Sequence, residues 1–568
     1  MTRARRRPAD PASCARLEAA GFDAVLARIL AARGVREPDE VATDRARLLR
    51  PEAMLGLSRA ASLLADAIDA QRAICVVGDY DCDGATATAL MVLGLRRFGA
   101  RVDFLVPNRL TDGYGLSSAV ASAACHHPRL GRSDCIVTVD NGIASLAGVD
   151  TARKAGMQVI ITDHHLPGPQ LPAADAIVNP NQVGCQFASP HLAGVGVAFY
   201  VVAAVRAELL SRGRWAGQPP RLDDLLDLVA LGTVADLVVM DSNNRRLVAG
   251  GLARMRTGRA RPGLSALMQI SRCTTARMSE RDLGFALGPR INAAGRLEDI
   301  TIGIECLLAD SLEEGLVLAS RLDSINQARK TIEADMRSLA LAAVPEPAPA
   351  QRAVVVAHDD WHEGVIGLVA SRLKDRWHRP VFALAPAQGE PGTLRGSGRS
   401  IAGVHLRDVL ALIAAREPDL IMRFGGHAMA AGLSLAATRL DQFGAAFEQA
   451  VGELADTEAF DKALLTDGPL PADRIHLPLA HLLESQIWGQ GFAAPLFCNQ
   501  FEVLNQRTVG SGHLKLRLRL DDRILEAIWF NRTEPLAGTA RLAYRLQSQE
   551  YRGRTELQLQ IEDEVTDE

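Results

Sequence analysis

The stretch "AICVVGDYDCDGATATALMVLGLRRFG", residues 73–99, decides the fold. It opens on a short apolar run of strand length, turns through Asp79, Asp81 and Asp83, and continues as a helical stretch, "ATATALMVLGLRRFG". Strand, turn and helix in that order make the first half of a parallel βαβ unit. The turn is the anomaly. Three carboxylates on alternate positions repel one another and resist losing water, so they persist most readily when a cation holds them together.

The rhythm repeats downstream. "CIVTVD" at 135–140 and "QVIITDHH" at 158–165 read as further strands of a parallel sheet covered on both faces. In an open α/β sheet the ligand site lies beyond the carboxyl ends of the strands. That edge gathers Asp140 and the trio Asp163, His164 and His165, and Asp236 in "LGTVADL" completes the set. Carboxylates with imidazole and no thiolate suit manganese or magnesium better than structural zinc, and a two-metal cluster is the natural product. An aspartate at a strand end, such as Asp140 or Asp236 taken singly, is more commonly a helix cap, and a His pair can be a polar turn. Capping does not explain three alternating aspartates and an adjacent His pair at one sheet edge.

At 568 residues the chain is too long for one core and predicts roughly three or four domains. Hydrophobic residues at 48 % and charged residues at 23 % exclude a disordered or fibrous chain. Nine cysteines without a C-x-x-C pair argue against a disulfide framework and fit a reducing cytoplasm. The N-terminal "MTRARRRPADPASCARL" lacks the apolar core of a secretory signal and reads as a frayed tail. Runs such as "RAICVV" are strand-sized, and no membrane span is expected. The net charge of −4 says nothing of partners, because a metal site and a nucleic-acid groove cancel in the sum.

Farther along, 312–342 carries a helical pattern that meets "VPEPAPA" at 344–350, a stiff linker and a domain boundary. A second α/β unit follows, with "AVVVA" and "PVFALA" as strands around the helix "GVIGLVASRLKDRW". Beyond "DGPLPADRIHL" the alternating runs "GHLKLRLRL", "ILEAIWF" and "TELQLQIED" predict a small antiparallel barrel or sandwich. No repeat of fixed period is evident.

The motifs "GDYDCDG", "VPNRLTDGYGLS", "VTVDNG", "TDHH", "GTVADLVVMDSNNR" and "GPRINAAGRL", in this order, resemble those of the DHH phosphoesterases, specifically the RecJ family of bacterial single-strand DNA exonucleases. "WHEGVIGLVASRL", "GSGRSIAGVHL" and "FGGHAMAAGLSL" resemble that family's DHHA1 domain, and the C-terminal barrel its OB-fold. The chain departs from the family at Val239 and Met240, where a Pro-Leu pair is usual, and at Gly491, Phe492 and Ala493, where Gly-Asn-Pro is expected. The resemblance implies a multidomain α/β protein: an N-terminal helical or frayed segment (1–49), a DHH domain on a parallel sheet (50–310), a connecting helix (311–343), a DHHA1 domain (350–455) and an OB-like barrel (460–568).

It implies further that Asp81, Asp83, Asp140, His164 and Asp236 bind two divalent cations, Mn2+ or Mg2+, with Asp79 and His165 beside them. Asp140 is suited to bridging the ions, His165 to contacting the scissile phosphate or acting as acid, and Asp163 to orienting a ligand from behind. Arg109, Ser397 and Arg399 are implied to hold a terminal phosphate, with the loop of Gly425, Gly426 and His427 facing the cleft. Arg290, Asn292 and Arg296 are implied to support the substrate backbone or the metal shell. In "GHLKLRLRL" the alternation places Lys515, Arg517 and Arg519 on one face, either a phosphate track or a solvated outer surface. The implied activity is removal of mononucleotides from the 5′ end of single-stranded DNA in recombination and repair. Implied partners are single-strand binding protein and a RecQ-type helicase, with the chain a monomer. Other readings are a phosphodiesterase of nanoRNA or cyclic dinucleotides, and a non-catalytic replication scaffold.

Overall fold

The computed structural model describes residues 2–108, 115–343, 346–510, 512–551 and 553–566. Two compact units emerge: one holds Arg6–Ile325 and Leu465–Val565, the other is built on Asn326–Leu464. In the first, β1 (Ala73–Val77), α1 (Cys82–Arg97), β2 (Arg101–Leu105), β3 (Cys135–Val139), β4 (Gln158–Thr162) and β5 (Ala176–Val178) form a parallel sheet of order β2-β1-β3-β4-β5. Every residue of β1 and β3 is buried, which is why "AICVV" and "CIVTV" are continuously apolar rather than alternating. The winding reverses between β1 and β3. Their carboxyl ends therefore open a crevice at the switch point of the sheet.

Helix α1 is built largely of Ala, Thr and Gly because α2 (Gly194–Ser211) and α3 (Leu226–Ala235) pack closely upon it. Gly94 allows that approach, since a Cβ there would lie 2.5 Å from Val202. The expectation that no apolar run approaches membrane-spanning length misses α2, which is long and apolar enough. Its Val195, Val197, Val201, Val202 and Val205 are buried inside this unit, so a core helix accounts for the apolar run. A single π-helical turn, Leu283–Leu287, leads into α4 (Gly288–Leu297). The long helix α5 covers Leu312–Ala343, one residue beyond the expected run.

In the second unit β6 (Val354–Ala357), α6 (Ile366–Trp377), β7 (Val381–Pro386), β8 (Thr393–Arg399), β9 (Arg423–Gly426) and β10 (Ala430–Ala436) give a sheet of order β9-β10-β8-β7-β6. Among its described residues, only β6 and β7 pair in parallel.

The C-terminal strands return to the first unit. Strands β11 (Phe497–Val509), β12 (His513–Leu520), β13 (Arg523–Trp529), β14 (Thr539–Tyr551) and β15 (Arg554–Thr566) pair in a ring, closed by β13 with β15 in parallel and β14 with β15 antiparallel. Leu514, Leu516 and Leu518 point inward, as the alternation requires. Phe497, Phe501 and Tyr544 fill the interior, which is continuous with the core around the parallel sheet. The two departures from the family motifs meet at this junction. The Met240 amide donates to the Gln490 carbonyl at 2.8 Å, Met240 is 2 % exposed, and a Cβ at Gly491 would lie 2.8 Å from Val239.

The frayed-tail reading of the N-terminus is overturned. Residues 2–6 form a strand in which Thr2 and Ala4 are buried, and the Arg3 amide donates to the Lys462 carbonyl at 3.1 Å. Asp10 and Pro11 are the N-cap and first residue of the helix Pro11–Ala19. Just beyond the next helix, Arg33 makes a two-pronged ion pair with Asp467, Nη1 to Oδ1 at 2.8 Å and Nη2 to Oδ2 at 3.0 Å. Both side chains are at most 2 % exposed. Breaking a pair this deeply buried leaves an uncompensated charge, so Asp467→Ala is expected to lower stability by about 3–5 kcal/mol. Urea denaturation checks this, and the double variant Arg33→Met, Asp467→Leu should recover much of the loss.

Candidate metal centre

Strand β1 delivers the aspartates to the crevice and α1 starts among them. The Asp81 side chain accepts from the Gly84 amide at 3.0 Å, so it caps α1 as well as facing the site. Asp83, in the first helical turn, is fully buried and points to the N-terminus of α2, where the Gly194 and Val195 amides donate to its two oxygens at 2.6 and 2.9 Å. Asp140 ends β3 in a left-handed conformation, φ 61°, and its amide donates to the Thr162 carbonyl of β4. Asn141 locks the neighbouring strand ends together, its Nδ2 donating to the carbonyls of Val77 and Val139.

Strand β4 delivers the His pair. His164 Nε2 lies 3.0 Å from Asp140, 3.5 Å from Asp236 and 3.9 Å from Asp83. These are not ion pairs, because burial pushes the imidazole down to about 4 and keeps it neutral. Its other nitrogen is engaged by the Leu192 backbone, which leaves Nε2 aimed into the cluster. Asp163 stands behind: one oxygen accepts from the amides of His164 and His165 and sits 2.8 Å from His165 Nδ1, and the other accepts from the Ile143 amide. Burial alone would lower the His165 pKa, but the hydrogen bond and charge of Asp163 outweigh it and push it up to about 9. Asp236 follows the last turn of α3 as its C-cap.

Potential ligand atoms lie within 4.8 Å of one another in three sets: Asp79, Asp81 and Asp140; Asp83, His164 and Asp236; and Asp140, His164 and His165. Asp140 and His164 each join two sets, as a bridging position requires. Burial and then mutual repulsion push Asp83 up to about 7, and Asp140 and Asp236 far above the ordinary carboxylate range. Asp140 Oδ1 and His164 Nε2 face each other at 3.0 Å, both buried and neither in a hydrogen bond of acceptable geometry. Crowded carboxylates, a neutral imidazole and orphaned ligand atoms fit hard divalent cations.

Residues 73–233 match the DHH family N-terminal domain, 350–453 the DHHA1 domain and 466–563 the RecJ OB domain. The chain is 47 % identical over 556 residues to the single-stranded-DNA-specific exonuclease RecJ of Dickeya dadantii (strain 3937), covering 95 % of both chains. It belongs to the RecJ family. A crystal structure of RecJ in complex with Mn2+ from Thermus thermophilus is similar over 100 % of this chain and 79 % of that one, with TM-score 0.82 and 29 % identity. The Mg2+ complex of RecJ from the same organism superposes over 100 % of this chain and 78 % of that one, with TM-score 0.75 and 28 % identity.

The other residues implied by the RecJ resemblance are placed less uniformly. Asn292 Oδ1 accepts from the Cys82 amide at 2.8 Å and so braces the aspartate turn. Beside it Gly295 lies so close to the Tyr80 carbonyl that a Cβ would be 1.9 Å away. Arg296, in the last turn of α4, is half-buried. The Arg290 guanidinium grips Asp323 at 2.8–2.9 Å and the Ala286 carbonyl, tying α4 to α5. Ser397, Arg399, Gly425, Gly426 and His427 belong to the second unit. There Arg399 Nη1 donates to Ser397 Oγ at 3.0 Å, and a Cβ at Gly367 would lie within 2.9 Å of both side chains. Arg109 lies outside the described residues. On the barrel, Lys515 and Arg517 stand 3.4 and 3.3 Å from Glu526, and Arg519 Nε donates to Glu502 at 2.9 Å. The basic face is thus a mixed-charge surface, and its alternation alone does not make a phosphate track.

Sequence reasoning missed the two helix starts and glycines that hold the carboxylates. A Cβ at Gly194 would lie 2.5 Å from Asp140 Cβ, and one at Gly232 2.8 Å from Asp83 Oδ1. The only signal was the glycines at 194 and 232, within the helical stretches "GVGVAF" and "LGTVAD". Gly194→Ala is therefore expected to cost about 1–3 kcal/mol of stability by overpacking. It should also weaken Mn2+ binding at least about tenfold by displacing Asp140. Chemical denaturation and electron-paramagnetic-resonance titration of Mn2+ measure the two effects separately.

Proposed function

We infer that this chain is a metal-dependent exonuclease that hydrolyses single-stranded DNA from the 5′ end. The observation that carries this is the pair of orphaned, buried ligand atoms on Asp140 and His164 at the switch point of a RecJ-family sheet. Asp79, Asp81, Asp83, Asp140, His164 and Asp236 would hold two Mn2+ or Mg2+ ions. When bound, these supply an activated water and charge stabilisation for in-line attack on a phosphodiester.

The chain's own residues do the rest. The α2 amides and Asp81's bond to Gly84 fix where the first two carboxylates point. Asp163 holds His165 protonated near neutral pH, so that the imidazolium can donate to a non-bridging phosphate oxygen or to the departing 3′ oxygen. We assign capture of the 5′-terminal phosphate to Arg109, Ser397, Arg399 and His427, since an Arg fork and neighbouring hydroxyl match a phosphate dianion. The family resemblance supports a cytoplasmic monomer working beside single-strand binding protein and a RecQ-type helicase.

End-labelled single-stranded and duplex DNA, incubated with Mn2+, Mg2+ or chelator, tests the reading. Expected is stepwise loss of mononucleotides from the single strand alone, stopped by chelator. Degradation confined to dinucleotides or cyclic dinucleotides would replace it with the small-substrate reading. Asp140→Ala should lower cleavage by roughly a thousandfold or more while filter binding of DNA stays near the unaltered level. Arg399→Ala should slow cleavage of 5′-phosphorylated strands at least about tenfold more than that of 5′-hydroxyl strands. Equal loss on both ends would make Arg399 a general electrostatic or structural residue.

A further inference from the structure

One residue past Asp236 the surface changes character. Leu237 is 69 % exposed and sits in the left-handed region at φ 59°, a conformation that costs a bulky side chain about 1–2 kcal/mol. Opposite the end of α3 lies the π-helical turn Leu283–Leu287, whose Phe285 is 81 % exposed while Leu283 and Leu287 are buried. The turn is anchored against the site's own supports. A Cβ at Gly284 would lie 3.4 Å from Val234, and one at Gly288 3.3 Å from Ala235 and 4.0 Å from Cys82 Sγ. Two large apolar side chains, one strained and directly following Asp236, the other on a π-turn packed against Val234 and Ala235, are thus displayed to water. Strain and π-turns of this kind cluster where a ligand binds.

Leu237 and Phe285 line a cavity of about 1100 Å³, whose far wall is the barrel at Leu546, Gln547 and Gln560. Arg281 reaches across to Gln560 at 3.2 Å, and Arg545 is paired with Glu562 at 2.9 Å. Its charged lining is of both signs and partly self-paired, so it does not form a phosphate strip. Its distinctive feature is the apolar pair. A single strand approaching the metal centre has unpaired bases whose faces need cover, and stacking on an aromatic ring suits every base alike.

We propose that Phe285, with Leu237 beside it, is a stacking platform for the bases of the substrate strand next to the scissile phosphate, and so a positioning residue that favours single strands. This rests on the exonuclease reading. The test uses the full chain and naked 5′-phosphorylated oligonucleotides, either intact or with one abasic site moved stepwise from the 5′ end. For Phe285→Ala, KM on intact DNA is expected to rise roughly tenfold or more with kcat little changed, and Phe285→Trp should restore it. Leu237→Asn, which keeps a residue tolerant of the left-handed conformation, should shift KM in the same direction. An abasic site at one or two defined positions should slow the unaltered protein as much as Phe285→Ala does, and should not slow that variant further. If Phe285→Ala matches the unaltered protein on intact DNA, or abasic sites slow both proteins equally at every position, the platform is wrong while the exonuclease reading stands. Failure of the unaltered protein to degrade any single strand would sink both.

Discussion

The structure is organised around a repulsion. Five aspartates, at positions 79, 81, 83, 140 and 236, and one neutral histidine face one another at the mouth of a parallel sheet, with Asp79, Asp83 and Asp140 buried and the others half-buried. Backbone amides of the surrounding protein relieve this repulsion only in part. The amides of α2 that reach the cluster engage Asp83, yet burial and its neighbours still push that carboxyl up to about 7. A cation is the partner that turns the crowd from a cost into an attraction.

Such a cluster needs a frame stiffer than the forces within it, and the doubly wound sheet provides one. Asn141 staples the ends of β1 and β3, the Thr162 hydroxyl donates to the Thr138 carbonyl between β3 and β4, and Asn179 and Asn181 hold the carbonyls of His165 and His164. Gly194 and Gly232 remove side chains where helices press on carboxylates. The site is thereby made of backbone ends whose positions are set by strand pairing, and the ligands inherit that precision.

Much of this was legible before any coordinates. Strand-length apolar runs and the acidic residues behind them located β1, β3, β4 and the residues that cluster at their ends, because continuous apolarity and strand-end charge are local signals. Contacts between distant segments were not legible. Asp83's hold on the α2 amides joins positions more than a hundred residues apart, and "GVGVAF" announces a helix start without naming its guest. The motif around Arg290 suggested support for the substrate backbone or the metal shell, and gave no sign that Asp323 on the long helix holds its guanidinium. The alternation in "GHLKLRLRL" gave the barrel's inner leucines correctly but hid the glutamates opposite its outer face, since cross-strand partners depend on register. The basic N-terminus misled for a similar reason: what orders it is the backbone carbonyls of Lys462 and Thr466, and what pins Arg33 farther on is the Asp467 carboxylate, all hundreds of residues away.

That last contact bears on how the chain is made. Arg33 leaves the ribosome 434 residues before the carboxylate that neutralises it, and the barrel aromatics that complete the same core come later still. A chain that ends before Asp467 therefore carries the clustered aspartates together with an unpaired guanidinium and an open apolar core. The first helices and the last strands of the chain thus share one core, and the N-terminal segment completes its packing only once the C-terminal strands are made.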